Sequence, residues 1–248
     1  TSGHRKKVPQ VAPLEHGGVM HICRSLCNTS DWKISIRRVL TLPQGERPKA
    51  PLDKKTAKNA RRTAMIRLHY DPASTTCRPI LLYAAEAGLP LDLIVVDLFR
   101  DEHRGEAFSR LNPSQAVPVL EHDGFVLTES SAILKYLADL VASPAYPKDL
   151  KARSRVNEMM DWFNTGLMRD LCYGLVYARV LSHCRLPEPG FAQALRIHEP
   201  RAAKRLRALD TIIGSKPFVC GQDITLADYL GSAFVTSGEL IGFDFRPW

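Results

Sequence analysis

From residue 66 onward the apolar and polar positions follow a regular order. Ile66, Leu68 and Tyr70 alternate with Arg67 and His69, the two-residue period of a half-buried strand. Asp71-Pro72 breaks that alternation, and an amphipathic pattern over about 78–87 predicts a helix that Gly88-Leu89-Pro90 stops. Leu91 to Leu98 is an apolar run with β-branched Ile94, Val95 and Val96, interrupted by Asp92 and Asp97, and reads as a buried strand. Two strands flanking one helix predict a parallel pair with a right-handed crossover. A polar segment with a short helix covers 101–111, and a third strand starts at Val117-Pro118-Val119-Leu120. Asp123-Gly124 makes a tight turn, from which Phe125-Val126-Leu127 returns as a hairpin strand. A helix over about 130–140 completes the series.

The order β-α-β-α-β-β-α is a thioredoxin-like α/β layout, assigned to residues 65–142. Ser143-Pro144-Ala145-Tyr146-Pro147 is a compact linker. The pattern beyond it is all helical, so 149–248 is expected to be an all-α domain. One long helical pattern covers about 150–182, Pro187-Glu188-Pro189-Gly190 breaks it, and another covers about 191–214. Thr225 and Asp228 then form a capping box that opens a further helix. Residues 1–64 read differently, with short apolar clusters and a Lys-, Arg- and Pro-rich composition that predicts disorder. Met65 stands directly before the first strand. The basic leader is therefore expected to be upstream sequence rather than part of the folded body, with a nucleic-acid or targeting arm as the other reading.

Composition sharpens this division. The formal net charge of the 248-residue chain is +8. Residues 1–64 hold 14 Lys and Arg against 4 Asp and Glu, whereas the remaining 184 residues hold 20 basic and 22 acidic side chains. The basicity belongs to the leader, and the mildly acidic body is not expected to bind nucleic acid. No apolar run is long enough to span a bilayer, and no signal-like apolar core follows the polar N-terminal residues, so a cytoplasmic protein is expected. Six cysteines are scattered without metal-ligand spacing, since Cys23-x-x-x-Cys27 has no partner cluster. They read as reduced thiols and no metal site is expected.

The chemistry concentrates at Asp71-Pro72-Ala73-Ser74-Thr75-Thr76-Cys77-Arg78, between the first strand and the first helix. This is the position of a dithiol redox motif, with Ser74 where the first cysteine would stand. A serine there cannot shuttle disulfides. It can donate a hydrogen bond to a bound thiolate, an anion that a helix N-terminus also favours. Tyr70, at the end of the first strand, is a rival donor. Cys77 is expected to pack inward.

The segment 65–248 resembles the cytosolic glutathione S-transferases of the theta-like, bacterial kind, which are related to dichloromethane dehalogenases. Four stretches carry the resemblance: Asp71 to Arg78, Asn112 to Leu120, Leu127 to Ile133, and the capping box from Thr225 to Asp228. The resemblance implies a transferase fold in which the Ser74 hydroxyl stabilises the thiolate of glutathione. It implies a cis Val117-Pro118 bond whose Val117 backbone meets the cysteinyl unit. Glu129 and Ser130 would hold the γ-glutamyl end, and His103 the glycyl carboxylate. Asn164, Met168 and Arg169 are candidates for the electrophile pocket. The implied partners are glutathione as co-substrate, a small electrophile and a second copy of the chain, in a detoxifying role. A glutathione-dependent dehalogenase, a non-catalytic module of the same fold and a disulfide reductase are the alternatives, the last weakened by the absence of a cysteine at 74. Ala116 stands where relatives often carry Lys. Relatives also continue past Pro247-Trp248 into further helix, so a shortened helical domain with a more open site is expected.

Free glutathione thiol has a pKa of about 8.5, so only a few per cent is thiolate at neutral pH. Lowering that pKa by roughly two units is worth about 2.7 kcal/mol and makes most of the thiol reactive.

Overall fold

A computed structural model describes residues 65–181 and 184–245. The basic leader expected over 1–64 and the chain end at 246–248 lie outside the described residues.

Strand β1 (Ile66–Tyr70) buries Ile66, Leu68 and Tyr70 and turns Arg67 outward, as its alternation requires. It pairs parallel to β2 (Leu91–Val95) and antiparallel to β3 (Val119–His122), which pairs antiparallel to β4 (Phe125–Thr128). The sheet order is β2-β1-β3-β4. Helix α1 (Arg78–Glu86) links the parallel pair, a short α2 (Glu106–Leu111) precedes β3, and α3 (Ser130–Leu140) follows β4. Two strand boundaries differ from the sequence pattern. The apolar run predicted as a buried strand through Leu98 is instead an edge strand with Ile94 and Val95 exposed, and it ends at Val95 because side chains claim the N–H groups at the end of the run. Glu102 accepts the Asp97 N–H at 2.8 Å, and Asp71 accepts that of Leu98 at 3.0 Å. The third strand begins at Val119 rather than Val117, because the Val117 carbonyl is taken by Thr76 and Pro118 has no N–H to give.

The helical part consists of α4 (Leu150–Trp162), α5 (Gly190–Ile213) and α6 (Leu226–Ser237). Asp149 caps α4, accepting the Ala152 N–H. One core runs through both halves, from Leu68, Ile80, Leu120 and Leu134 to Leu167, Leu171, Leu206 and Phe234. Tyr83 of α1 meets Tyr229 of α6 edge to face at 5.5 Å. The Leu226 N–H also bonds to the Ala145 carbonyl at 3.0 Å, fastening α6 to the linker.

The sequence pattern read 150–182 as a single helix. The structure instead continues α4 into a π-helical stretch, Phe163–Tyr177. Gly166, Asp170 and Gly174 recur every four residues along it and face α5. A Cβ on Gly174 would lie 2.4 Å from the His198 ring, so glycine is what lets α5 approach this closely. Asp170 is 1% exposed and lies 3.6 Å from His198 and 3.6 Å from Arg205, with Arg169 bonded to both its oxygens at 3.0 and 2.9 Å.

Burial alone would push the Asp170 carboxyl up. The hydrogen bonds and charge of Arg169, with help from Arg205 and His198, outweigh burial and hold it below its ordinary range. A depressed carboxyl contributes stability that is complete above the unfolded-chain value of about 3.9 and is lost as pH falls through the lower folded value. Asp170→Asn is expected to cost about 2–3 kcal/mol at neutral pH, since both arginines keep part of their solvation. The difference should shrink below about pH 4. Urea unfolding of the two proteins across a pH series checks this, and a constant difference would rule out the ionic origin.

Candidate functional site

The turn that carries Ser74 is built by Asp71. Its Oδ1 accepts the Ala73 N–H at 2.6 Å and its Oδ2 the Leu98 N–H at 3.0 Å, while its carbonyl accepts the Ser74 N–H at 3.1 Å. One buried carboxylate thus ties the end of β1 to the segment after β2 and folds the chain back toward α1. Ser74 is 8% exposed. Its Oγ accepts the Cys77 N–H at 3.3 Å and contacts Thr76 Oγ1 at 2.9 Å. The Thr76 hydroxyl donates to the Val117 carbonyl at 3.0 Å. A chain of three groups therefore joins the serine to the loop before β3.

That loop is organised by Asn112, which is buried. Its side chain donates to the Ala116 carbonyl at 2.7 Å and accepts the Ser114 N–H at 3.0 Å. The loop delivers Val117 and Pro118, both buried, through a cis Val117-Pro118 peptide bond. On the far side of the hairpin, Glu129 has φ of 67° and precedes Ser130, the first residue of α3. A glutamate in that left-handed region is an uncommon conformation that the surrounding structure must hold. Its side chain is exposed, while Ser130 is buried. His103, in the short helical turn Glu102–Arg104, is 5% exposed, so it is not a solvated loop histidine.

Cys77 has no exposed surface, and burial pushes its thiol up to about 11, only partly opposed by the polar Ser74 side chain beside it. It packs inward and is poorly suited to form a thiolate. Tyr70 is also buried, and desolvation raises its phenol first, with Cys77 and Asp71 adding to that.

The helical half supplies the opposite wall. Tyr177 and Thr75 share a short hydrogen bond, which ties the π-helical stretch to the residue after Ser74. Tyr173 stacks edge-on against Tyr177 at 4.9 Å. Burial raises the Tyr173 phenol, and the charges of Cys184 and Glu129 add to that. Of the three pocket candidates, Asn164 is half-buried and Met168 packs into the core. Arg169 is half-exposed and engaged with Asp170. Thr76 and Tyr177 were missed in the sequence pattern, because a threonine in a turn and a tyrosine in an apolar helix carry no signal of their own. The small group Ser-Thr-Thr before a helix was the only available hint for Thr76. Among the described residues no group of three or more His, Cys, Asp or Glu could hold a metal ion.

Residues 73–140 match the family described as glutathione S-transferase, N-terminal domain. Human glutathione S-transferase theta-1 is 36% identical over 166 residues, covering 66% of this chain and 69% of that protein. The chain belongs to the glutathione S-transferase family. Its theta-like character is repeated in rat glutathione S-transferase theta-2, 35% identical over 190 residues, 73% of this chain and 76% of that one. Solved structures agree. Human glutathione transferase theta-2, in complex with glutathione and an unknown ligand, superposes with a TM-score of 0.65 at 30% identity, over 73% of this chain and 76% of that one. A glutathione S-transferase from Pseudomonas fluorescens superposes at 0.67 with 26% identity, over 75% and 90%. The glutathione transferase fold expected from the motifs is therefore the observed one. Among the described residues no helix is long and apolar enough to cross a membrane.

Proposed function

We propose that this transferase joins the thiolate of glutathione to small electrophiles, with the Ser74 hydroxyl as the donor that holds the thiolate. The reading rests above all on the hydrogen-bonded chain from Ser74 through Thr76 to the Val117 carbonyl. It puts a hydroxyl donor and the backbone of Val117 beside each other just before α1. In the reaction the thiol proton leaves to solvent, the sulfur lone pair forms the new C–S bond, and the leaving group departs with the electrons of its bond to carbon. A charge-assisted bond from Ser74 is shorter and roughly twice as strong as a neutral one, so it lowers the thiol pKa rather than merely binding the thiol.

The remaining contacts follow from chemistry. The Val117 N–H and C=O suit the cysteinyl backbone in the manner of an added strand. Glu129, exposed at the start of α3, suits the γ-glutamyl ammonium. Ser130, at the N-terminus of that eleven-residue helix, suits the adjacent carboxylate. His103 is assigned to the glycyl carboxylate. The electrophile would lie against the wall of Tyr173 and Tyr177, with Asn164, Met168 and Arg169 along the same stretch. A homodimer acting in the cytoplasm completes the reading. Phe125 of edge strand β4 is exposed and its ring meets Tyr136 of α3 at 5.6 Å, and α3 ends on exposed Leu140 and Val141, apolar side chains that a second copy would cover.

Calorimetric titration with reduced glutathione tests the assignment, on the full chain and on a version beginning at Met65. Saturable binding in both is expected, accompanied by thioether formation with 1-chloro-2,4-dinitrobenzene. Binding heat with no thioether formed from any of a panel of aryl halides, alkyl halides and epoxides would return the chain to a non-catalytic role. No heat in either protein would remove the glutathione site altogether.

A further inference from the structure

Counting protons fixes the direction of the bond between Ser74 and Thr76. Thr76 has a single O–H, and it donates to the Val117 carbonyl at 3.0 Å. A carbonyl oxygen only accepts, so the 2.9 Å contact between the two hydroxyls must use the proton of Ser74. Ser74 Oγ meanwhile accepts the Cys77 N–H at 3.3 Å. In this arrangement the hydroxyl assigned to the thiolate points at Thr76, and Thr76 points at the carbonyl assigned to the cysteinyl backbone.

We propose that Thr76 is a positioning residue that couples occupancy of the Val117 carbonyl to the release of the Ser74 proton. The Val117 carbonyl has two lone pairs, so the cysteinyl N–H shares it rather than evicting Thr76. The shared oxygen holds the Thr76 proton less strongly, Thr76 turns that proton onto Ser74 Oγ, and Ser74 turns its own toward the sulfur. The inference rests on the Ser74 reading above and deepens it. Two O–H bonds rotate and no heavy atom has to move. That matters here, because the turn is held on both sides. Thr75, between the two hydroxyl residues, is 2% exposed and bonded to Tyr177, and Asp71 pins the chain before it.

The balance tips for two reasons. Ser74 exchanges a neutral acceptor for a charged one, and the charge-assisted bond is the stronger. A donor that is itself accepting a hydrogen bond is polarised, so Thr76 turning to Ser74 strengthens the bond to sulfur in turn. Glutathione bound through its backbone thus prepares the donor for its own thiol. A thiol that fails to engage Val117 leaves Ser74 bonded to Thr76.

The test is a titration of the bound thiol, followed through the ultraviolet absorbance of the thiolate, in the full chain and in Thr76→Val, Thr76→Ser and Ser74→Ala. Steady-state kinetics with 1-chloro-2,4-dinitrobenzene accompany it. Thr76→Val is expected to raise the bound thiol pKa by about half a unit and to lower kcat/KM about threefold below that pKa. The loss should vanish at high pH, with the KM for glutathione unchanged. Thr76→Ser should restore both values. If the valine variant does not fold, Thr76→Ala, which adds no bulk, gives the same reading.

Should Ser74→Ala raise the thiol pKa while the Thr76 variants leave it in place, the coupling is overturned and the role of Ser74 stands. A raised KM at unchanged thiol pKa also overturns it, since a mere brace on Val117 behaves that way. If Ser74→Ala itself leaves the thiol pKa unmoved, the Ser74 reading fails and the coupling with it.

Discussion

Replacing Ser74 by alanine is expected to lower kcat by about 30- to 100-fold near pH 6.5 while changing the KM for glutathione by less than about threefold. The asymmetry follows from where the hydroxyl acts. In the proposed site glutathione would be held by its two ends and its backbone, through groups that alanine at position 74 leaves in place. The hydroxyl would distinguish thiolate from thiol, so its loss should appear as a smaller reactive fraction. The deficit should therefore close as pH rises past the pKa of the free thiol, about 8.5. A deficit that persists at high pH would mean that Ser74 holds the site together rather than ionising its thiol. Ser74 Oγ also accepts the Cys77 N–H, so a stability loss of about 1 kcal/mol is expected alongside and should be measured by thermal melting. Tyr70→Phe separates the rival donor. Tyr70 is buried in the sheet, and removing its hydroxyl is expected to leave kcat within about twofold. A large loss there, with Ser74→Ala near normal, would reverse the assignment.

The largest stability effect is expected at Asp228, far from the chemistry. Its carboxylate accepts the N–H groups of Val219 and Thr225 and the Thr225 hydroxyl, each at 2.8 Å, and it is 1% exposed. Asp228→Ala removes both acceptor oxygens and all three hydrogen bonds, and leaves two buried backbone N–H groups and a hydroxyl without these partners at the start of α6. Each unsatisfied group costs about 1–3 kcal/mol, partly recovered by relaxation, so a total of about 3–5 kcal/mol is expected. For a chain of this size that is a fall of about 10 °C or more in Tm. Helix α6 carries Tyr229 against Tyr83 and is fastened to the linker at Ala145, so the damage should reach the glutathione-binding half. A melting curve in which Asp228→Ala matches the parent would show that water replaces the carboxylate at this helix start. Asp228→Asn, which keeps one acceptor oxygen, should fall between the two.

The strands, the helices and the order in which they meet were legible along the chain, because burial imposes its period on local sequence. Ile66, Leu68 and Tyr70 announced β1 by alternation, and the capping box announced α6 by the spacing of Thr225 and Asp228. Ser74, Val117, Pro118, Glu129 and Ser130 were legible as candidates, because each lies within a short motif whose residues are consecutive. Strand ends were less legible. The apolar pattern continues to Leu98, but its last N–H groups are claimed by Glu102 and Asp71, and nothing in a hydrophobic pattern records which side chain will take a backbone donor.

What the tertiary structure alone decided is how those motifs meet. Thr76 and Val117 are 41 residues apart and share a hydrogen bond, while Thr75 and Tyr177 are 102 apart and share another. The π-helical stretch was invisible, since α and π spacing place apolar residues much alike over a few turns. Its consequence is the close approach of α5 over Gly174, with Asp170 ionised among Arg169, Arg205 and His198. Sequence determined which groups could donate, accept or carry charge, because that is a property of single residues. The direction of each hydrogen bond, and so which way the Ser74 proton points, was decided only when the fold brought one donor against more than one acceptor.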